Sequence, residues 1–430
     1  MKLQKPKGTQ DRLGRDIETY SELISLARST FEGYNFKEIE TPLFESYELF
    51  SRATGETSDI VTKEMYDFED KGGRHIALRP EGTASVVRAY IENKLYAPEI
   101  QKPVKLWYHG PMFRYERPQA GRLREFHQIG VECLGAKNPA IDVEVMLMAY
   151  DFFEFTGLRH LKFHLNTLGD AASRKAYHQA LVDYLTPYEN ELSEDSKRRL
   201  LENPLRILDS KEAQDIAILE NAPSVQEYLS QESAAYFTAV REMLEALEID
   251  YELDAKLVRG LDYYNDTVFE LMTTIDGKEL TLCGGGRYDG LVSYFDGPET
   301  PGFGFAIGVE RLQLLLEQQE VSLSHDAGLQ VYMAVLGERA SYEASKLLYA
   351  LRREGIVADR DYLNRKIVAQ YKSAESYGAE LIITLGDAEM ASKIAKVRVV
   401  ATRKEVEIPL AELYDNFAEI YMEILEENEG

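Results

Sequence analysis

The sequence predicts an α+β protein: a strand-and-hairpin body, a helical insertion within it, and a small α/β domain behind it. Three observations carry this. Runs with period-two alternation of apolar residues lie on both sides of residues 171–250, while that stretch is helix-like, acidic and poor in β-branched residues. Turn signals at Lys71-Gly72-Gly73 and Asp276-Gly277 join neighbouring strands as hairpins. Beyond a polar linker at 318–327, strand and helix patterns alternate, as in a small domain with a mixed sheet. The expected divisions are 1–170, 171–250, 251–320 and 328–430, within the two to four domains that 430 residues suggest.

In chain order, residues 18–33 place Tyr20, Leu23, Ile24, Ala27 and Phe31 at helical spacing. A short strand at 36–40 ends at Thr41-Pro42, and 43–52 reads as a short helix. Strands at 65–68 and 75–78 form a hairpin. Arg79-Pro80-Glu81-Gly82-Thr83 then leads into a helix through Val86, Val87, Tyr90 and Ile91, with Thr83 as its expected N-cap. Residues 104–115 and 125–134 are strands joined by a long basic loop. A helix at 142–155 and a strand at 161–166 precede the insertion, which Pro187, Pro204 and Pro223 break into short helices. The strand pattern resumes at Tyr251 and continues through the run after Tyr264 and through 279–283, before Gly284-Gly285-Gly286-Arg287-Tyr288. A helix with Arg311 near its start follows Gly308. In the last domain, strands at 329–336, 356–358, 381–385 and 396–401 alternate with helices at 339–353 and 366–377. A final helix carries Leu410, Leu413, Tyr414, Phe417, Ile420, Tyr421 and Ile424 on one face.

Composition removes several function classes. The net charge of −25 argues against a surface built to coat nucleic acid. Cys133 and Cys283 are the only cysteines and lie far apart, which points to a reducing compartment and away from structural zinc or a disulfide framework. The start of the chain lacks a signal-peptide pattern and no apolar run approaches membrane-spanning length, so a soluble, cytoplasmic protein without membrane association is expected. The seven histidines show no metal-ligand spacing, so no metal site is expected from protein spacing. Against the acidic background, residues 102–124 carry six bases and the single acid Glu116, a local strip able to meet a polyanion.

The candidate site centres on residues 113–132, FRYERPQAGRLREFHQIGVE. Alternation puts Phe126, Gln128, Gly130 and Glu132 on one face of the second strand and Ile129, Val131 and Cys133 on the other. One face reads as core and the other as a pocket wall that Arg114 can reach. Arg114, Arg259 and Arg311 all stand at element ends, and guanidinium groups bind phosphate bidentately. With glycine-rich backbone and Phe126 to stack on a base, they suit a nucleotide triphosphate. Glu81, Gln128, Glu132, Tyr263 and Tyr264 suit a small cationic or amphoteric ligand. Position alone gives Glu81 a second reading, as the acid that favours the positive end of the following helix dipole. No Ser/His/Asp grouping stands out, so catalysis would rest on orientation and electrostatics.

These segments resemble the class II aminoacyl-tRNA synthetases and, within them, the histidyl-tRNA synthetase family. Residues 113–132 resemble motif 2, with FRxERPQxGRxRxFxQ intact; Thr41-Pro42 sits where motif 1 belongs, and 301–312 resembles motif 3. LVRGLDYYNDTVFE at 257–270 and GGGRYDGL at 284–291 resemble the two histidine-specific blocks, and KGTQD at 7–11 the amino-terminal tag. The resemblance spans essentially the whole chain; Gly14 stands near where many relatives have proline. A synthetase-like regulatory subunit of a phosphoribosyltransferase is the nearest rival, but such paralogues lack the last domain and depart from the Arg259 block, and this chain has both.

The resemblance implies an antiparallel-sheet catalytic domain, an anticodon-binding α/β domain and a homodimer. It implies that histidine and ATP, with Mg²⁺, give histidyl-adenylate, and that the acyl group passes to the 3′ end of histidine tRNA. Arg259 and Arg114 would be the catalytic pair at the α-phosphate and substrate carboxylate, and Phe126 and Arg311 would sandwich the adenine. Glu81 and Thr83 would bind the histidine α-amino group, with Gln128 nearby and Gly82 also among the histidine-binding residues. Glu132 and Tyr264 would read the imidazole, with Tyr263 and Tyr288 completing the pocket. Arg117, Gln119, Arg122 and Arg124 would contact the tRNA acceptor end, and bases including Arg352, Arg353, Arg360, Arg365, Lys366 and Lys372 would lie in the domain that reads the anticodon, whose single-stranded bases have accessible edges.

Overall fold

The computed structural model describes residues 3–55, 58, 60–259, 261, 263–275, 277–323 and 328–427. Asp276 of the expected Asp276-Gly277 turn, Gly260 and Asp262 of the 257–270 block, and positions 324–327 of the linker lie outside the described residues. The chain divides into two units, residues 1–324 and 325–430.

The first unit opens with α1 (Arg15–Gly33), which starts three residues before its apolar periodicity does. β1 (Lys37–Glu38) follows, then β2 (Phe44–Ser46) and α2 (Tyr47–Thr54). The expected helix at 43–52 therefore begins as a strand. Phe44, Glu45 and Ser46 pair with Leu78, Ala77 and Ile76, so sheet pairing overrides the local helical pattern. β3 (Asp67–Glu69) and β4 (His75–Leu78) make the expected hairpin, and β2-β4-β3 is a small antiparallel sheet. Leu43, Phe44 and Phe68 on and beside it are exposed. After α3 (Thr83–Glu92) come β5 (Val104–Phe113), β6 (Glu125–Leu134), α4 (Pro139–Phe155) and β7 (Leu161–Thr167).

The stretch after β7 is helical, with α5 (Ala171–Leu185), α6 (Glu194–Glu202), α7 (Ala213–Leu219) and α8 (Gln231–Ala246). Pro187 and Pro204 each sit in the first turn of a short 3₁₀ segment, where a missing N–H costs nothing. These helices bury a small core of their own around Tyr177, Leu181, Leu185 and Ile207. Phe237, Val240 and Leu244 of α8 join the main core instead. β8 (Tyr251–Leu253), β9 (Asn265–Ile275), β10 (Lys278–Arg287), α9 (Leu291–Tyr294), β11 (Gly302–Gly308) and α10 (Val309–Gln318) complete the unit. β10 runs straight through the three glycines, beyond the 279–283 that alternation marks.

One eight-stranded sheet organises all this, in the order β1-β5-β6-β11-β10-β9-β7-β8. Its six central strands are antiparallel to their neighbours, and the two edge pairings, β1 with β5 and β7 with β8, are parallel. One face carries Ile129, Val131, Cys133, Phe303, Phe305 and Ile307, packed with Phe152 of α4, Phe31 of α1 and Leu316 of α10 in the main core. Fully burying each such side chain contributes about 1.5–3 kcal/mol, which fixes the register.

The other face is floored by small residues. Gln128 pairs with Gly110 and Gly308, Gly130 with Ala306, and Glu132 with Gly304; Ala306 in turn pairs with Gly284. A trough floored largely by backbone results, with the β6 side chains of Phe126, Gln128 and Glu132 rising along it.

The second unit holds β12 (Val331–Val335), α11 (Glu338–Arg353), β13 (Ala358–Arg360), α12 (Ile367–Ser376), β14 (Leu381–Leu385), α13 (Asp387–Ser392), β15 (Ile394–Val399), β16 (Glu405–Pro409), α14 (Glu412–Asp415) and α15 (Phe417–Glu426). Its five-stranded sheet, β13-β12-β14-β15-β16, is mixed, as expected. The single last helix of the sequence reading is two helices, broken at Asn416, whose φ of −140° is not helical. Asn competes with the helix through its own side-chain hydrogen bonds. Leu413, Phe417, Tyr421 and Ile424 still reach one core. Among the described residues, no helix is long and apolar enough to cross a membrane.

Candidate active site

A cavity of about 420 Å³ opens on the small-residue face of the large sheet, and Arg114, Phe126, Arg259 and Arg311 all line it. β6 delivers Phe126 because alternation turns it away from the core. The end of β5 delivers Arg114, whose guanidinium carbon lies 5.3 Å from the Phe126 ring centre and whose Nε donates to the Pro80 carbonyl at 2.8 Å. Arg311 is exposed on the first turn of α10. Arg259 comes from the segment before β9 and lies flat on β10: a Cβ at position 284 would fall 2.3 Å from its Nη1. Glycine at 284 is thus the condition for this guanidinium to reach the cavity. Arg259 is ion-paired with Glu270. Burial works to lower its pKa, but Tyr264 and Glu270 more than offset that and raise it.

Next to the cavity lies a buried polar cluster. Glu81 accepts from the backbone N–H of Thr83 at 2.6 Å and of Ala84 at 2.8 Å. Thr83 is therefore not the N-cap: α3 begins at Thr83, Gly82 occupies the cap position, and Glu81 satisfies the first N–H groups from outside the helix. Thr83 Oγ1 instead donates to Glu132 Oε1 at 2.7 Å. Glu132 also accepts from Tyr288, and the Tyr108 hydroxyl lies 3.4 Å away. Burial pushes the Glu132 carboxyl up to about 8, the Tyr288 and Thr83 hydroxyls pulling the other way. Gly304 is required beside it, since a Cβ there would fall 2.3 Å from Glu132 Oε2. Tyr263, Tyr264 and Tyr288 close the cluster, with ring centres 4.7 Å (263–264) and 5.7 Å (263–288) apart. Gln128 Oε1 is buried and meets no donor among the described residues. The guanidinium carbon of Arg259, 6.0 Å from the Tyr264 ring centre, joins cluster and cavity.

The structure thus brings the expected residues into two adjoining groups. The basic loop after Arg114 behaves less uniformly. Gln119 and Arg122 line the cavity and pair with each other through their backbones, with Arg122 also ion-paired to Glu116. Arg117 is exposed on the loop. Arg124 is drawn back: its guanidinium carbon sits 3.7 Å from the Tyr115 ring centre and its Nε donates to the Glu116 carbonyl.

Several residues of the site escaped the sequence reading. Tyr108 packs over Gly82 and Gly130, each of which could not carry a Cβ beneath it. Its place follows from strand pairing, which local sequence does not contain. Glu270 had a signal, as the last residue of the 257–270 block. Apart from the residues that line the cavity, His164, Glu252 and Glu279 come within metal-ligand range of one another, which sequence spacing did not suggest because they come from three different strands. Lys162 Nζ bridges the two acids, at 2.8 and 3.2 Å, as an internal cation.

Comparisons with known proteins agree with one another. The model of a family described as histidyl-tRNA synthetase matches residues 8–312, and one described as anticodon binding domain matches residues 330–420. The chain is 64% identical over 424 residues to a histidine–tRNA ligase of Lactococcus lactis subsp. cremoris, covering 99% of each. It is 58% identical to one of Streptococcus pyogenes serotype M49, covering 99% of this chain and 100% of that one. Among solved structures, apo S. aureus histidyl-tRNA synthetase aligns with a TM-score of 0.83 at 43% identity, over 97% of this chain and 100% of that one.

Proposed function

The chain belongs to the histidyl-tRNA synthetase family, and from that premise we propose that the two adjoining groups are one active site that activates histidine with ATP and charges histidine tRNA. The observation that carries the reading is the shared floor. Phe126, Gln128 and Glu132 stand on one strand face beside Arg114 and Arg259, so a nucleotide in the cavity and an amino acid over the cluster would meet at the arginines.

Phe126 and Arg311 hold the adenine between them. Glu81, Gln128 and Thr83, beside Gly82, take the α-amino group; the buried Gln128 Oε1 fits a donor of that kind. Glu132 and Tyr264 pair with the imidazole nitrogens, with Tyr263 and Tyr288 walling the pocket. A pocket that must satisfy buried polar groups rejects a side chain lacking them by large factors. The substrate carboxylate is already a nucleophile. It attacks the α-phosphorus and pyrophosphate leaves, while Arg259 and Arg114 stabilise the charge that builds on the phosphoryl oxygens. The terminal tRNA hydroxyl then attacks the acyl carbon and AMP leaves. Mg²⁺ prefers oxygen ligands and usually arrives on substrate phosphates. The Glu116 and Glu270 carboxylates lining the cavity fit such an ion, which would neutralise phosphate charge when bound.

Arg117, Gln119, Arg122 and Arg124 would meet the acceptor end, and the second unit the anticodon. The exposed apolar residues on the β2-β4-β3 sheet support a homodimer, and a role in tRNA charging supports a cytoplasmic location. The test is charging of a transcribed histidine tRNA with labelled histidine. Product with that tRNA alone is expected; equal charging of unrelated tRNAs would sink the assignment.

A further inference from the structure

Residues 6–12 form neither helix nor strand, yet they touch two parts of the nucleotide side of the site. The Gly8 carbonyl accepts from the backbone N–H of Arg124 at 2.8 Å and of Glu125 at 3.2 Å, where the basic loop returns to β6. Gly8 has a φ of 84°, and a Cβ there would fall 2.6 Å from the Arg124 side chain. Four residues on, Arg12 is ion-paired with Glu310, and its Nη1 lies 3.0 Å from His127 Nδ1. Both partners are almost fully buried, with 10% and 7% of their side chains exposed. Tyr20 supports the same guanidinium, whose carbon lies 4.6 Å from its ring centre.

Glu310 is the centre of this arrangement. Both of its carboxylate oxygens accept from the His127 backbone N–H at 2.9 Å, and Oε1 lies 3.1 Å from His127 Nδ1. Its chain neighbour is Arg311, and the neighbours of His127 are Phe126 and Gln128. The carboxylate therefore ties the first turn of α10 to the first residues of β6. These two backbones carry the groups on either side of the proposed adenine position. A second tie, Gln313 Nε2 to the Asp16 carbonyl and Oδ1 at 3.0 Å each, holds α10 against the start of α1.

We propose that residues 6–12 are a clamp on the nucleotide half of the site, and that Arg12 is a positioning residue which, through Glu310, sets the spacing between Phe126 and Arg311 and so governs ATP affinity. The inference rests on the ATP reading of the cavity. Arg12 itself need not touch the nucleotide. Loss of its charge leaves Glu310 buried with a weaker set of partners, and the two elements it joins are free to drift. Misplacement of binding groups by about 1 Å is enough to cost on the order of 100-fold. Of the histidine cluster, Gln128 alone is a chain neighbour of His127; Glu81, Thr83, Glu132 and the tyrosines come from around the start of α3, the later part of β6 and the segments beside β9 and β10, with none of the hydrogen bonds of the clamp.

The test uses the full chain with Arg12→Ala, Arg12→Lys, Glu310→Ala and the double variant Arg12→Ala/Glu310→Ala. ATP and histidine binding are each measured by calorimetry, and ATP–pyrophosphate exchange by KM and kcat. We expect Arg12→Ala to weaken ATP at least about tenfold in both binding and KM, with histidine affinity within about twofold of the parent. Arg12→Lys should recover part of the loss, and the double variant should lose little more than Glu310→Ala alone, as for two residues acting as a unit. The clamp is overturned if ATP affinity is unchanged in Arg12→Ala, if histidine affinity falls equally, or if the two single losses simply add. A parent chain that binds ATP but exchanges pyrophosphate with no amino acid refutes the ligase reading and leaves the ATP-binding comparison to decide on the clamp. A parent that binds no ATP refutes both.

Discussion

At the scale of single residues, the proposed roles differ in what burial asks of each group. Glu132 is the clearest case. Its ordinary value is 4.5 and burial raises it to about 8. The folded pocket therefore holds a proton that the unfolded chain gives up over that interval. The stability this proton contributes is complete below about pH 4.5 and is lost as pH rises toward about 8. Glu132→Gln cannot ionise, so we predict that between pH 5 and 8 the unliganded parent loses about 3 kcal/mol relative to it, read by calorimetric unfolding. Parallel pH profiles would show that the carboxyl is ionised throughout. Arg259 presents the opposite case, a group whose charge is kept by Tyr264 and Glu270 despite burial. Arg259→Ala should cut the exchange rate about 10³-fold and leave histidine binding within about threefold. Equal losses would make Arg259 a binding residue only. Residue types at this scale were readable in advance, since arginines at element ends and a carboxylate on a pocket face have few uses together. Which residue each would touch was not. For Glu81 the helix-start reading is met, since its carboxylate receives the first N–H groups of α3, and the same carboxylate faces the cluster of Tyr263 and Glu132.

At the scale of elements, the site depends on what β10 and β11 leave out. Gly284 and Gly304 give their space to Arg259 and Glu132. Gly284→Ala meets only the end of a side chain, so the fold should tolerate it while the guanidinium shifts. We predict an exchange rate lower by about 100-fold, with an unfolding midpoint within a few degrees of the parent. A parental rate would mean that Arg259 reaches its place by another route. Behind the same strand, Arg287 and Asp142 form an ion pair with both side chains fully buried, joining β10 to α4. Removing one partner alone, as in Asp142→Ala, should cost about 3–5 kcal/mol in thermal or denaturant unfolding. Alternation along β6 was legible because a half-buried strand has one period and one register. β2 was not, because its partner β4 lies some thirty residues on and pairing, not local preference, decides it. The break at Asn416 had a signal in Asp415-Asn416, outweighed by an apolar stripe that continues across it.

At the scale of the molecule, charge is distributed against its average. The chain carries −25 overall, yet Arg114, Arg259 and Arg311 line the cavity together with Arg122 of the loop. Salt should therefore separate the two steps. Between about 50 and 200 mM salt, the KM for tRNA should rise at least about tenfold in charging assays, with the KM for histidine in exchange nearly constant. The two-unit division and the helical stretch between β7 and β8 were visible as changes of texture. The sheet order was not, since β11 inserts between β6 and β10, and only non-local packing decides that. The proposed active site unites an ATP site with a histidine site on a single sheet face. ATP–pyrophosphate exchange measured with each of the twenty amino acids tests it most directly. Exchange with histidine alone is the predicted result; exchange with none, or with several equally, would contradict it.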